Sequence, residues 1–473
     1  MNRKQITIII VAPIIALLLG FGVYYYFRPV PVEDGIGLFP GEGLPVGPGG
    51  AVPDEEVNIP FFVPGTGMTP PRLYELHKVP VAGVGFMETG LLSVAVQPSK
   101  TKTVKKLVAP VETHTVNARY IERGLGHIYE TPLATLVETR IVNETRPRIA
   151  EAFFGGNGKT VAVRYLEEEF EREVIKTRIL SLLSGSATTS SFIKTEEVFL
   201  PDHIPFLVAA EDATEKFFYL TKGITSSSGF LATAKGEGPL IFDSSFTEWL
   251  PQFPNQNLVA LASRPSSAVR GTLFFLDTKT NVLSRILDGF MGLTAKVSHD
   301  GKRVLYSTTR EGKPELFVYD VEKKESTDLF VQTLPEKCAW SMKDLAVVYC
   351  AIPESMDQAI YPDQWYRGTI SFSDRMWRIN TDKIEFGATG KIFTPSEYRA
   401  GPLDIINPVL SSDDSYILFM NKLSSTPWVY RLAELPVITP TPPVEATSTI
   451  STIPATTTPV SFKSTTEGMV KIK

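Results

Sequence analysis

The segment Gly155-Gly156-Asn157-Gly158-Lys159-Thr160 ends like a phosphate-binding loop, which would bring nucleotide chemistry. That loop needs a glycine where Phe153 stands, and a helix after Thr160. Val161-Ala162-Val163 reads as a strand instead, so the segment is expected to be a hairpin turn. The five histidines are His77, His114, His127, His203 and His299. No two are spaced to share one helical or hairpin metal site, so no local metal motif exists. The chain has no Gly-x-Ser-x-Gly nucleophile elbow. Neither Ser298-His299-Asp300-Gly301 nor Ser373-Asp374-Arg375-Met376-Trp377 fits the Ser-x-Asp-x-Gly-x-Thr-Trp turn of sialidases. Asp413-Asp414 could touch calcium, but a turn favours Asp for backbone reasons alone. The residues therefore assign no catalytic group, no cofactor and no metal.

Two other groups carry chemistry. Cys338 and Cys350 are the only cysteines and lie symmetrically about Asp344, the centre of a hairpin. Pairing by equal distance from that turn sets them opposite each other. A disulfide is expected in an oxidising compartment, and two buried thiols are the alternative. The segment from Ala351 to Phe372 interrupts a repeat and holds Tyr361-Pro362-Asp363-Gln364-Trp365-Tyr366-Arg367-Gly368. Tyr, Trp and Arg are enriched in binding hot spots, so Tyr361, Trp365, Tyr366 and Arg367 are candidate partner contacts. The competing expectation is that Trp365 and Tyr366 fold over the blade edge as a satellite core.

The elements that position these residues are repeats. Val297-Ser298-His299-Asp300-Gly301-Lys302-Arg303-Val304-Leu305-Tyr306 is a strand, a polar turn and a second strand. The pattern returns around Trp340-Ser341 to Tyr349 and around Leu410-Ser411 to Phe419. Third strands share Glu315-Leu316-Phe317-Val318-Tyr319-Asp320 and its relatives. Between about residues 72 and 433 the chain is almost all short β-rich runs punctuated by Pro and Gly. At roughly 40–50 residues per four-stranded blade this is an all-β propeller of about seven blades, with six or eight as the alternatives. First strands fall near Val81, Ala152, Pro205, Trp249, Val297, Ala339 and Val409. The last repeat has three strands. Arg72-Leu73-Tyr74-Glu75-Leu76-His77 is the candidate fourth, which would close the ring without a long open edge.

Ser-x-Asp-Gly-Lys followed by Leu-Phe-Val-Tyr-Asp, matched best over 297–320, resembles the TolB-type, WD40-like propeller repeats of bacterial envelope proteins. The copies at 339 and 409 match in part, having lost the turn glycine. With an N-terminal anchor the chain also resembles membrane-tethered envelope propellers of small-genome bacteria. The resemblance implies a scaffold or binding role and supplies no catalytic residues.

The chain ends set the expected compartment. From Ile6 through Phe27 no residue is charged, a length that spans a bilayer. Tyr24, Tyr25 and Tyr26 sit at one end as an aromatic belt would, and Arg3 and Lys4 precede the run. Residues 1–27 are therefore expected to be a cytoplasmic stub and an uncleaved signal anchor, a single N-terminal transmembrane helix. The N-terminus would be cytoplasmic and the propeller extracytoplasmic. Residues 28–71 read as a Pro/Gly-rich linker, and 434–473 as a disordered Pro/Thr/Ser-rich tail. A net charge of −5 weighs against nucleic acid as a partner. The basic stretch Lys100-Thr101-Lys102-Thr103-Val104-Lys105-Lys106 reads as a solvated loop.

The expected function is a non-catalytic scaffold of the cell envelope that binds a protein or glycan. The alternatives are a propeller enzyme acting on envelope glycans, or an accessory subunit of a secretion, pilus or sensing assembly. Carboxylates and basic groups gathered on one face with shifted pKa values would favour the enzyme.

Overall fold

The Ser-x-Asp phrases fold into one hairpin for a local reason. In the first, Ser298 Oγ accepts from Arg303 N (3.0 Å), and Asp300 Oδ1 accepts from Lys302 N (3.1 Å). In the last, Ser411 Oγ accepts from Tyr416 N (3.0 Å), and Asp413 Oδ1 from Ser415 N (2.9 Å). The middle copy uses the same residue types with a shifted register: Ser341 Oγ accepts from Asp344 N, three residues on (2.9 Å), and Asp344 Oδ1 from Ala346 N (3.0 Å). Short polar side chains thus satisfy the turn's own backbone donors. Gly301, at φ 72°, takes the left-handed position that the two partial copies lack a glycine to fill.

A computed structural model describes residues 62–66, 68–90, 114–170, 172–183, 192–383 and 389–433. The chain divides into units Met1–Pro60 and Phe61–Lys473, and every described residue lies in the second. That unit is seven four-stranded antiparallel sheets. The first strands of blades 1 to 7 are Val81–Thr89, Ile149–Gly155, Phe206–Ala209, Trp249–Asn255, Thr294–Val297, Cys338–Trp340 and Ile405–Leu410. Each blade runs first to fourth strand in chain order, except the seventh. There Leu73–Glu75 pairs with Pro427–Arg431, with Leu73 opposite Tyr430 and Glu75 opposite Trp428. The seven-blade reading and the closing strand are both met.

The core lies between blades. One cluster joins Val81, Ala118 and Tyr120 of blade 1 to Leu418, Met420 and Val429 of blade 7. Another joins Ala162 and Ile179 of blade 2 to Phe217 and Tyr219 of blade 3. Each buried large side chain contributes about 1.5–3 kcal/mol relative to exposure.

The Gly155–Thr160 segment is the turn between Ile149–Gly155 and Thr160–Glu169, as expected. The expected membrane helix, residues 6–27, the stretch 100–106 and the tail 434–473 lie outside the described residues. Among the described residues no helix is long and apolar enough to cross a membrane.

Candidate functional site

On one face of the ring, neighbouring blades are stitched together at all seven junctions, through the turns between first and second strands and, in blade 1, through Glu88 at the end of its first strand. Asn157 Nδ2 of blade 2 donates to Glu88 O of blade 1 (2.8 Å), and Glu88 N donates back to Asn157 Oδ1 (3.0 Å). Gly156 N donates to Thr214 O of blade 3 (3.0 Å). Gln256 N of blade 4 donates to Asp212 Oδ2 of blade 3 (2.7 Å). Asn255 Nδ2 donates to His299 O of blade 5 (2.7 Å). Arg303 Nη1 donates to Leu345 O of blade 6 (3.1 Å). Met342 N donates to Asp414 Oδ1 of blade 7 (2.9 Å), and Ser412 N returns to Glu88 Oε1 (2.8 Å). The turns therefore form a hydrogen-bonded collar.

Inside the collar is a cavity of about 470 Å³. Blades 1, 2, 3, 5, 6 and 7 all contribute to its lining. Val84, Phe86, Phe154, Trp340, Val409 and Leu410 give it apolar walls. The polar groups are grouped in ion pairs. Glu211 lies 2.5 Å from Lys296 Nζ and 3.4 Å from His299 Nδ1. His114 sits between Glu88 (3.1 Å) and Asp413 (3.6 Å). Burial works against the Glu211 charge, but Lys296 and His299 outweigh it and hold the carboxyl below its ordinary value. A preformed apolar pocket with a few convergent polar groups is the geometry of a ligand site. Among the described residues no group of three or more His, Cys, Asp or Glu is arranged to hold a metal ion.

The sequence-derived candidates sit elsewhere. The segment between Val347–Pro353 and Asp374–Asn380 of blade 6 carries one helical turn, Asp363–Tyr366. It emerges on the opposite face. Tyr361 and Trp365 are buried with Leu334 and Phe372 in a small cluster of their own, while Tyr366 and Arg367 are exposed. The segment straps four blades. Asp363 accepts from Ser266 Oγ (3.0 Å) and Ser267 N (2.8 Å) of blade 4, and Tyr361 O accepts from Thr309 Oγ1 of blade 5 (2.9 Å). Trp365 Nε1 donates to Asp404 Oδ2 before blade 7 (3.2 Å). Cys338 and Cys350 are opposite each other in blade 6 and bonded, with an S–S distance of 2.10 Å.

The cavity groups Glu88, His114, Glu211, Lys296 and His299 were not singled out as a site by the sequence. They come from blades 1, 3 and 5, and no spacing along one strand relates them. The available signal was positional, because Glu88, Glu211, Lys296 and His299 stand at or near the end of a first strand and His114 immediately precedes a second.

No protein-family model matches the chain, and no curated protein does. Solved structures with a similar fold are known. An oligogalacturonate lyase from Vibrio parahaemolyticus is 11% identical, with 79% of this chain and 96% of that one covered at a TM-score of 0.46. TolB from Acinetobacter baumannii is 10% identical, covering 57% and 75% at 0.36. The Dos1 propeller is 11% identical, covering 68% and 76% at 0.39. These are likenesses of fold at low identity, and none assigns a residue role here.

Proposed function

We propose that the chain is a membrane-anchored, extracytoplasmic binding propeller of the cell envelope, non-catalytic, which holds a protein or glycan segment at the collared mouth of its channel. The carrying observation is the cavity itself, apolar in its walls and built jointly by six blades. Because the collar is bonded at every junction, the cavity is rigid before a ligand arrives, which lowers the ordering cost of binding. The anchor in residues 6–27 supplies the compartment. The exposed strap residues Tyr366 and Arg367 offer a second contact on the other face.

A second reading, an enzyme acting on envelope glycans, is favoured by the gathering of Glu88, His114, Glu211, Lys296 and His299 on one face. A general acid at neutral pH needs a carboxyl pushed up, whereas Glu211 is held down by its cations.

The test is a photo-crosslinking residue at Met342, which is 37% exposed at the cavity rim, against one at Arg367, in native membranes. Capture from Met342 that is abolished by Val409→Arg, with circular dichroism unchanged, supports the cavity. Capture from Arg367 alone moves the site to the strap. Capture from neither overturns the scaffold and directs attention to turnover of envelope glycans.

A further inference from the structure

Beneath the strap lies a cluster that the binding function leaves unused. Lys337 immediately precedes the first strand of blade 6, and its side chain is fully buried. Its ammonium is 2.7 Å from Asp374 Oδ2 and is also paired with Asp404 Oδ1, both carboxylates being equally sealed. It donates as well to Ile405 O (3.0 Å). Trp365 and Phe372 of the strap cover it, their rings 5.4 Å and 5.0 Å from Nζ.

Only Lys337 contacts the two carboxylates directly, while Lys422 attracts both from further off, so a carboxylate oxygen without a hydrogen bond is costly in a site without solvent. Asp404 is well provided for, accepting from Lys337, from Trp365 Nε1 and from Phe372 N (3.1 Å). Asp374 is not. Its Oδ2 accepts from Ile405 N (2.7 Å), but its Oδ1 is buried with no hydrogen-bond partner. That oxygen is where a proton relieves most repulsion.

Other charged groups around the cluster are accounted for. Lys422 of blade 7 donates to Trp365 O and lies 4.1 Å from its ring. Burial pulls its pKa down, with Asp404 raising it, Lys337 lowering it further and Asp374 raising it. Glu336 accepts from Tyr366 on the channel side, Asp363 is capped by blade 4, and Arg375 is paired with Glu354. Lys422 attracts Asp374 from a distance, but none of these groups hydrogen-bonds Asp374 Oδ1.

We propose that the strap is a proton-sensitive closure, tightened when Asp374 is protonated and loosened when it ionises. Asp374 is raised by burial, lowered by Lys337 and raised again by Asp404, to about 6 from an ordinary 3.8. Opening the strap hydrates the carboxyl and returns it toward its ordinary value. Opening therefore releases a proton between about pH 4 and 6, and the closed strap is favoured on the acid side of that window. The Tyr366–Glu336 contact joins the strap to the channel wall, because Glu336 is within electrostatic reach of Thr294 and Lys296. The inference does not depend on what the cavity binds.

The test is hydrogen exchange of residues 360–372 in the whole protein from pH 4.5 to 7.5, corrected for the intrinsic chemical rate. The expected opening constant rises up to tenfold per pH unit below pH 6 and levels off above it. Asp374→Asn should flatten that rise while leaving strands of blades 1 to 3 unchanged. A protection factor independent of pH in the wild type, or the same rise in Asp374→Asn, overturns the proposal. If the variant does not fold, the wild type decides by infrared spectroscopy. A buried protonated carboxyl band present at pH 5 and lost by pH 7 is expected, and its absence at pH 5 overturns the idea.

Discussion

At the scale of single residues, two positions fix how tightly blades meet and how blade 6 is braced. A Cβ added to Gly83 would stand 1.9 Å from Ala152 O, the backbone of the next blade's first strand. A side-chain neighbour could rotate away, but a strand carbonyl cannot. Gly83→Ala is expected to cost at least about 3 kcal/mol, the upper end of overpacking. Gly390→Ala, whose Cβ would meet nothing within 4 Å, should change stability by no more than about 0.5 kcal/mol. Urea unfolding of the two variants decides, and equal midpoints would show that blades 1 and 2 do not approach so closely. The cysteines make a second case. Their separation of 12 residues gives a bridge about 3 kcal/mol of stabilisation on the chain-entropy view. Protein isolated without reductant from its native cells should resist alkylation until reduced and unfolded, and Cys338→Ala with Cys350→Ala should lose about that much. Alkylation of both thiols in unfolded, unreduced protein would remove the bridge and weaken the export reading.

At the scale of elements, ring closure depends on a three-residue strand. Leu73–Glu75 is the fourth strand of blade 7, and Leu73 packs with Tyr430 and Phe419 in one cluster. Leu76 N donates to Pro427 O (2.9 Å) and Arg431 N to Arg72 O (2.8 Å), so alternation along the ladder puts Tyr74 in a hydrogen-bonded pair with Val429. Tyr74→Pro removes that donor. Thermal unfolding should then begin earlier and lose its single transition, while Lys78→Pro, outside the ladder, should not have this effect. Unchanged cooperativity in Tyr74→Pro would mean that the strand does not clamp the ring. This closure was legible in advance because a blade lacking one strand and a spare strand at the other end of the chain are both local patterns. The Cys338–Cys350 register was legible for the same reason, since a hairpin's centre sets its pairing. The cavity and the Lys337–Asp374–Asp404 cluster were not. Their members lie in different blades, and only the closure of the ring brings them together. The strap shows the limit most plainly. Trp365 has the composition of a binding hot spot, yet at 5% exposure it covers a buried ammonium. Composition cannot tell a displayed ring from a covering one when the partner is 28 residues away in sequence.

At the scale of the whole molecule, the cavity, the incoming chain and the outgoing chain share one face. Leu432 N (2.7 Å) and Ala433 N (3.3 Å) both donate to Ser415 O, in the turn that also gives Ser412 to the cavity lining. Arg72 is bonded through its carbonyl to Arg431 beside them. The chain therefore enters the propeller at Arg72 on the cavity side. On the proposed anchored reading, removing residues 36–55 draws the cavity face toward the membrane. The unfolding midpoint should not change, because no propeller strand is touched. Crosslinking from Met342 should fall several-fold, whereas crosslinking from Arg367 should hold or rise. An unchanged yield at Met342, with the same midpoint, would show that the cavity does not open toward the anchor. Equal losses at both positions would instead point to a partner that grips the linker itself. The ratio of the two yields thus reports the orientation of the ring, independently of how tightly the partner binds.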